Sequence, residues 1–158
     1  MSDDRPTFTW NDKPVRAAGI LLWTHKGDTT YRLFRKINNK FEDIGGKTDV
    51  ADRCTEDTAI REVCEETNGK LFSATHTYKD CEATLRQLMQ QHYDVEYNAK
   101  SKYILFKIQV DPTILDIPMR RFGLSERTDW GTLRHYYQWR TRVPPQYQLH
   151  WRIRRMAL

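Results

Sequence analysis

Apolar residues fall in short, separated bursts along the chain, and their spacing divides it into strands and helices. Ala17–Trp23 reads Ala-Ala-Gly-Ile-Leu-Leu-Trp, bounded by the turn-like Lys26-Gly27-Asp28, and Tyr31–Arg35 follows it. Together they predict a β-hairpin. Phe41-Glu42-Asp43-Ile44 leads into Gly45-Gly46, a pair that lets the backbone turn tightly and pass close to a ligand. The period then changes: Ile60, Val63, Cys64 and Thr67 recur at three- and four-residue steps, which predicts a helix from Thr55 to Asn68 with Thr55 or Thr58 as its N-cap. A strand near Leu71–Tyr78 is expected next, then a helix around Glu82–His92 with Leu85, Leu88, Met89 and His92 along one side. Tyr103–Val110 carries the strongest strand pattern, and Asp111-Pro112 ends it. The segment to Thr128 reads as a loop, Trp130–Trp139 leads into Val143-Pro144-Pro145, and a short helix is expected at Gln148–Met156. Strands and helices interleave, so the fold class is α/β. A flexible N-terminal arm, residues 1–14, is expected to precede a single domain over residues 15–158.

Composition supports one core and not two: 158 residues, 39% hydrophobic and 12% aromatic. No stretch approaches the roughly eighteen apolar residues of a membrane span. Met1-Ser2-Asp3-Asp4-Arg5-Pro6 lacks the basic-then-apolar order of an export signal, so a cytoplasmic chain with no membrane association is expected. Cys54, Cys64 and Cys81 form no Cys-x-x-Cys pair and read as reduced thiols, and the five histidines, His25, His76, His92, His135 and His150, lack metal-ligand spacing.

The net charge of +5 is unevenly placed, because residues 120–158 hold nine arginines against only Glu126 and Asp129. Clustered arginines attract phosphate-bearing ligands and grip them bidentately. Arg120, Arg121 and Arg127 are therefore candidate substrate contacts, with a solvated arginine-rich helix as the plainer alternative. Trp130, Tyr136, Tyr137, Trp139, Tyr147 and Trp151 are interleaved with these arginines. They serve either as core residues or as stacking surfaces for bases.

On the helix beginning at Thr55, the side opposite the apolar stripe is acidic. Glu62, Glu65 and Glu66 are spaced i, i+3, i+4 and lean toward one another. Like charges at that spacing cost a few tenths of a kcal/mol per pair unless cations lie between them. Mg2+ is the natural occupant, being hard and preferring carboxylate oxygen, with Mn2+ as an alternative. A charged solvent face is the competing reading. Arg61, beside the cluster, has Glu65, Asp57 and Asp52 as possible partners.

The segment running from Gly46 through Asp52 to Arg61-Glu62-Val63-Cys64-Glu65-Glu66-Thr67-Asn68-Gly69 resembles the Nudix box. The pattern of that box is Gly, five residues, Glu, seven residues, Arg-Glu-apolar-x-Glu-Glu-x-Gly-apolar. The Arg-Glu-x-x-Glu-Glu core matches fully. Two positions depart. The loop acid is Asp52 with one extra residue before Arg61, leaving Asp52 or Glu56 to brace the loop, and Asn68 takes the glycine slot with Gly69 one later.

The resemblance implies a Nudix-type α/β/α sandwich with a mixed β-sheet. It also implies metal held by Glu62, Glu65 and Glu66 with the Gly46 carbonyl as a further ligand, and magnesium-dependent cleavage of a phosphoanhydride in a nucleoside-diphosphate-linked substrate. Catalytic roles fall on Arg61, Glu62, Glu65 and a general base that is either Glu62 or Glu126 in the Gly123–Arg127 loop, with Glu82 and Glu96 also open. The chain is similar to viral mRNA-decapping members of the family, which puts capped RNA first among substrates. A small-nucleotide or inositol pyrophosphatase is the alternative, and a non-catalytic RNA- or protein-binding module of the same fold is the third reading.

Overall fold

The computed structural model describes residues 4–37, 40–116 and 135–141. Its nine strands and two helices run in the order β1 (Phe8–Trp10), β2 (Lys13–Val15), β3 (Ala17–Lys26), β4 (Thr29–Ile37), β5 (Lys40–Glu42), β6 (Ile44–Lys47), α1 (Thr55–Glu66), α2 (Tyr78–Met89), β7 (Asp94–Asn98), β8 (Tyr103–Gln109) and β9 (His135–Arg140). A 3-10 turn, Pro112–Asp116, follows β8. The mixed α/β content expected from the sequence is what these residues form. No helix among the described residues is long and apolar enough to cross a membrane.

β3 is the hub of a seven-stranded mixed sheet with the order β5-β4-β3-β8-β7, in which β6 also pairs with β3 and β9 with β4. Its first part pairs antiparallel with β6 (Ala18↔Gly46, Gly19↔Gly45), its end from Trp23 to Lys26 antiparallel with β4, and Ala17–Trp23 parallel with β8. A strand paired on both edges and covered on both faces reads as a continuous apolar run, which explains Gly-Ile-Leu-Leu. Alternation sends Ala18, Ile20 and Leu22 into the main core with Ile104, Phe106 and Ile108 of β8. Leu21 and Leu105 go to a smaller cluster with Phe34 and Phe41. Both helices contribute to the main core, through Ala59, Ile60, Val63 and Cys64 of α1 and Cys81 and Leu85 of α2. All three cysteines are free thiols.

Five expectations need correction. Phe8–Trp10 and Lys13–Val15, within and at the end of the expected arm, form two short strands. β1 and β2 form a hairpin around Asn11 and Asp12, both left-handed (φ 46° and 64°), and Trp10 packs edge-on against Phe106 at 5.3 Å. The Tyr97 hydroxyl then donates to the Pro14 carbonyl at 2.6 Å. No strand forms over Leu71–Tyr78; Leu71 is a buried plug, and α2 starts at Tyr78, four residues earlier than expected. The cause is a reciprocal capping box between Thr77 and Asp80. β7 was not anticipated, although Asp94-Val95-Glu96-Tyr97-Asn98 alternates polar and apolar. Neither Thr55 nor Thr58 caps α1: Cys54 holds the N-cap position, and Thr58 donates its hydroxyl to Asp52. Trp139, left open between core and stacking roles, packs against the main core, opposite Leu33. The helix expected at Gln148–Met156 lies outside the described residues.

α1 and α2 are clamped by charge. Asp57 on α1 accepts from Arg53 Nε at 2.9 Å, from the Arg53 amide at 3.0 Å and from Arg86 Nη2 of α2 at 2.8 Å. Burial alone would raise the Asp57 carboxyl, but these donors outweigh it and hold it well below the usual carboxylate range. A lowered folded-state pKa contributes stability that is complete above the unfolded value and lost as pH falls, so the loss begins below about pH 5. Asp57→Asn is expected to cost about 1–3 kcal/mol at neutral pH and to flatten the acid limb of Tm against pH. Thermal melts of both proteins from pH 7 downward check this, and parallel acid limbs would show that other groups set the acid dependence.

Candidate functional site

The acidic face of α1 lies over the end of β6, and the intervening loop is held by one arginine. Arg61 forks onto Asp52, Nε to Oδ1 at 2.9 Å and Nη2 to Oδ2 at 3.1 Å. The same guanidinium donates to the Lys47 carbonyl at 2.8 Å, tying the end of β6 to the helix. Asp52 also accepts from the Asp49 amide and the Thr58 hydroxyl, so a carboxylate only 3% exposed is fully satisfied. Burial would raise it, yet these bonds hold it below the usual range. Of the partners the sequence left open, Asp52 and Glu65 are taken and Asp57 is not. Asp52, rather than Glu56, braces the loop.

Glu62 projects toward β6. Its carboxylate lies directly on Gly46: a Cβ built there would stand 2.5 Å from the Glu62 carboxyl carbon. Burial raises the Glu62 carboxyl, with Arg61 opposing and Glu65 adding to the rise. Arg61 Nη1 bridges Glu62 at 3.1 Å and Glu65 at 3.3 Å. Glu66 is held from the sheet, by Arg35 Nη1 of β4 at 2.6 Å, while Nη2 of the same arginine reaches Glu42 at 3.0 Å.

The candidate residues Gly46, Arg61, Glu62, Glu65 and Glu66 are thus brought to one face. Two arginines compensate the three carboxylates, and among the described residues no group of acidic, histidine or cysteine side chains is gathered as metal ligands are. The donor chemistry nevertheless fits a hard divalent cation. All donors are oxygens, and the missing Cβ at Gly46 leaves the Glu62 carboxylate against the backbone. α1 ends with Asn68 and Gly69 in consecutive left-handed conformations (φ 58° and 72°), as the departure at Asn68 requires.

Glu126, Arg120, Arg121 and Arg127 lie outside the described residues. The remaining base candidates are engaged elsewhere: Glu82 with Arg86 at 2.9 Å, and Glu96 with Lys107 at 2.7 Å. Sequence reasoning missed Arg35. It stands in an alternating strand, Tyr-Arg-Leu-Phe-Arg, and nothing local announces a partner on a helix thirty-one positions later.

Gly46→Ala gives a direct test of the contact with Glu62. Because the obstructing atoms end a flexible side chain, Glu62 is expected to swing away with little loss of stability, under about 1 kcal/mol, while any activity resting on it falls at least about tenfold. Melting temperature and turnover measured together check this. Equal activity would show that the position of Glu62 does not matter.

No protein-family model matches the chain, and no curated protein matches it either. The site's meaning rests on its own residues and geometry.

Proposed function

We propose that the chain is a Nudix-type hydrolase, cytoplasmic and magnesium-dependent, that cleaves a phosphoanhydride in a nucleoside-diphosphate-linked substrate. The observation that carries this reading is Arg61 fastening the β6–α1 loop through Asp52 and Lys47 so that Glu62 lies on Gly46 with Glu65 and Glu66 beside it. A merely solvated acidic face has no need of a buried, four-bonded brace or of a glycine under one carboxylate.

In this reading Glu62, Glu65, Glu66 and the Gly46 carbonyl hold the cation. A divalent ion bound there would neutralise charge developing on the diphosphate and lower the pKa of an attacking water. Arg61 fixes the direction from which Glu62 and Glu65 approach, and Arg35 orients Glu66 from the sheet. Glu62 or Glu126 accepts the water's proton. The arginine-rich C-terminal quarter, with Arg120, Arg121 and Arg127, favours a polyanionic substrate, and capped RNA is the leading one.

The test is product identification by mass after incubation with cap-labelled RNA and with nucleoside and inositol pyrophosphate substrates, with magnesium or with EDTA. Magnesium-dependent release of a nucleoside phosphate is the expected result. Methylated GDP from capped RNA, with an affinity that falls steeply with salt, identifies decapping. A nucleoside monophosphate from a small substrate identifies a housekeeping pyrophosphatase. No product from any of them removes the hydrolase reading in favour of a binding module.

A further inference from the structure

Where the β6–α1 loop leaves the sheet, three exposed lysines stand in a row beside the acidic face. Lys47 ends β6, one position past the glycine on which Glu62 lies, and its carbonyl accepts from Arg61. Ala17 pairs with Lys47 on one side and with Tyr103 on the other, so Lys102, next to Tyr103, lies two strands away, a backbone separation of about 10 Å. The Arg16 and Ala17 amides both donate to the Lys102 carbonyl, at 2.8 and 3.2 Å, which fixes that end of the row. Lys100 continues it in the turn between β7 and β8, where the Asn98 side chain accepts from the Lys100 and Ser101 amides.

Two features set these lysines apart. Arg35, Arg53, Arg61 and Arg86 are all held in ion pairs, as is Lys107, whereas Lys47, Lys100 and Lys102 form none among the described residues. Their ammonium groups face solvent, and a ligand has no described carboxylate to displace from them. Arg5 and Arg16 lie behind the row, engaged with one another's backbone, and are not counted in it. The second feature is the backbone at Lys102, which is left-handed (φ 52°). The other non-glycine residues with positive φ are Asn11, Asp12 and Asn68, types that enter this region readily. Lysine enters it at a cost, and glycine or asparagine would make the same turn more easily. The turn does not call for lysine, which leaves its charge as the reason.

We propose that Lys47, Lys102 and Lys100 bind the phosphate backbone of a single-stranded nucleic acid, whatever its sequence. A row about 10 Å long presents charge at intervals of one strand spacing, and a single diphosphate is too short to reach both its ends. Contacts of this kind position a nucleic acid without reading its bases. A line of charges on strand ends, with no apolar helix face beside it to insert, suits a phosphate chain better than a lipid surface. Only the direction of the row rests on the hydrolase reading: it starts at Gly46 and leads away from the acidic face, so a chain continuing from a diphosphate held there runs from Lys47 toward Lys100. Affinity for the chain rests on the lysines alone.

The test uses the full chain in EDTA with a fluorescent, uncapped oligouridylate of about ten nucleotides, and reads anisotropy over a range of salt. Each phosphate contact adds about −0.7 to the slope of log affinity against log salt, so the three lysines account for about −2 of it. Lys47→Gln, Lys100→Gln and Lys102→Gln together are expected to weaken binding at least about tenfold at low salt and to make the slope shallower by about 2. Lys26→Gln, which removes an exposed charge at the far end of β3, is expected to change neither. Lys102→Gly separates binding from folding: Tm is expected to stay level or rise while affinity falls, a combination that a structural lysine does not give. Unchanged affinity and slope in the triple variant, a loss per charge equalled by Lys26→Gln, or no binding by the wild type overturns the proposal. Phosphatidylserine vesicles that compete as well as unlabelled RNA overturn it in favour of a lipid surface. Binding with this slope in a protein that hydrolyses nothing leaves the row standing and removes the hydrolase reading. Magnesium-dependent turnover of a small nucleotide, with RNA affinity indifferent to the three lysines, does the reverse.

Discussion

Glu65→Gln is expected to reduce magnesium-dependent turnover at least about a thousandfold, a loss of several kcal/mol of transition-state stabilisation. It should leave the metal-free fold intact, or slightly more stable. The side chain is half exposed and its strongest contact is a shared one with Arg61 at 3.3 Å, while its charge repels Glu62 and Glu66. Removing one like charge from such a cluster gains a few tenths of a kcal/mol. The combination separates a ligand from a structural residue, because a structural acid would lower Tm together with activity. Turnover of the assayed substrate and thermal melts in EDTA measure the two halves, and a variant retaining a tenth or more of wild-type turnover would remove Glu65 from the machinery.

Arg61→Ala carries the largest expected effect on stability. It strands Asp52, 3% exposed, without its ion-pair partner and releases the Lys47 carbonyl. Breaking one side of a buried pair costs about 3–5 kcal/mol, and the low end applies here because the Thr58 hydroxyl and the Asp49 amide still hold Asp52 Oδ2. A loss of about 3 kcal/mol corresponds to a fall in Tm of roughly 6–12 °C for a domain of this size. Adding Asp52→Asn to Arg61→Ala should recover part of it, since the stranded charge is then gone. A double variant no more stable than Arg61→Ala would mean that the lost contact to Lys47, and not the uncompensated carboxylate, dominates.

What was legible in the sequence was what depends on near neighbours. The stripe Ile60, Val63, Cys64 and Thr67 is buried, and Glu62 on the other side of α1 faces β6, because helical periodicity fixes both faces at once. The Gly27 hairpin and the β8 run are local in the same sense. Asp52 was open as a partner of Arg61, and the loop's compactness decided for it.

Arg35, and the Asp57–Arg86 clamp between helices, were not legible, since each depends on a contact the chain makes only after folding. The errors have local causes too. Leu71-Phe72 looked like the start of a strand, but two apolar residues before a Thr-x-x-Asp cap more readily serve as a plug. The eight residues Phe8–Val15 were too polar to suggest a core element. Their hairpin depends on two aromatics two positions apart and on Asn11-Asp12 accepting left-handed backbone, a turn signal weaker than Asn-Gly.

The central claim, that the acidic face of α1 is a divalent-cation site, is tested most directly by titrating the protein with Mn2+ and following the free ion by electron paramagnetic resonance. Wild type is expected to take up the ion, and Glu65→Gln and Glu62→Gln to lose that uptake while remaining folded. Identical uptake by all three proteins, or no uptake by the wild type, would contradict the account.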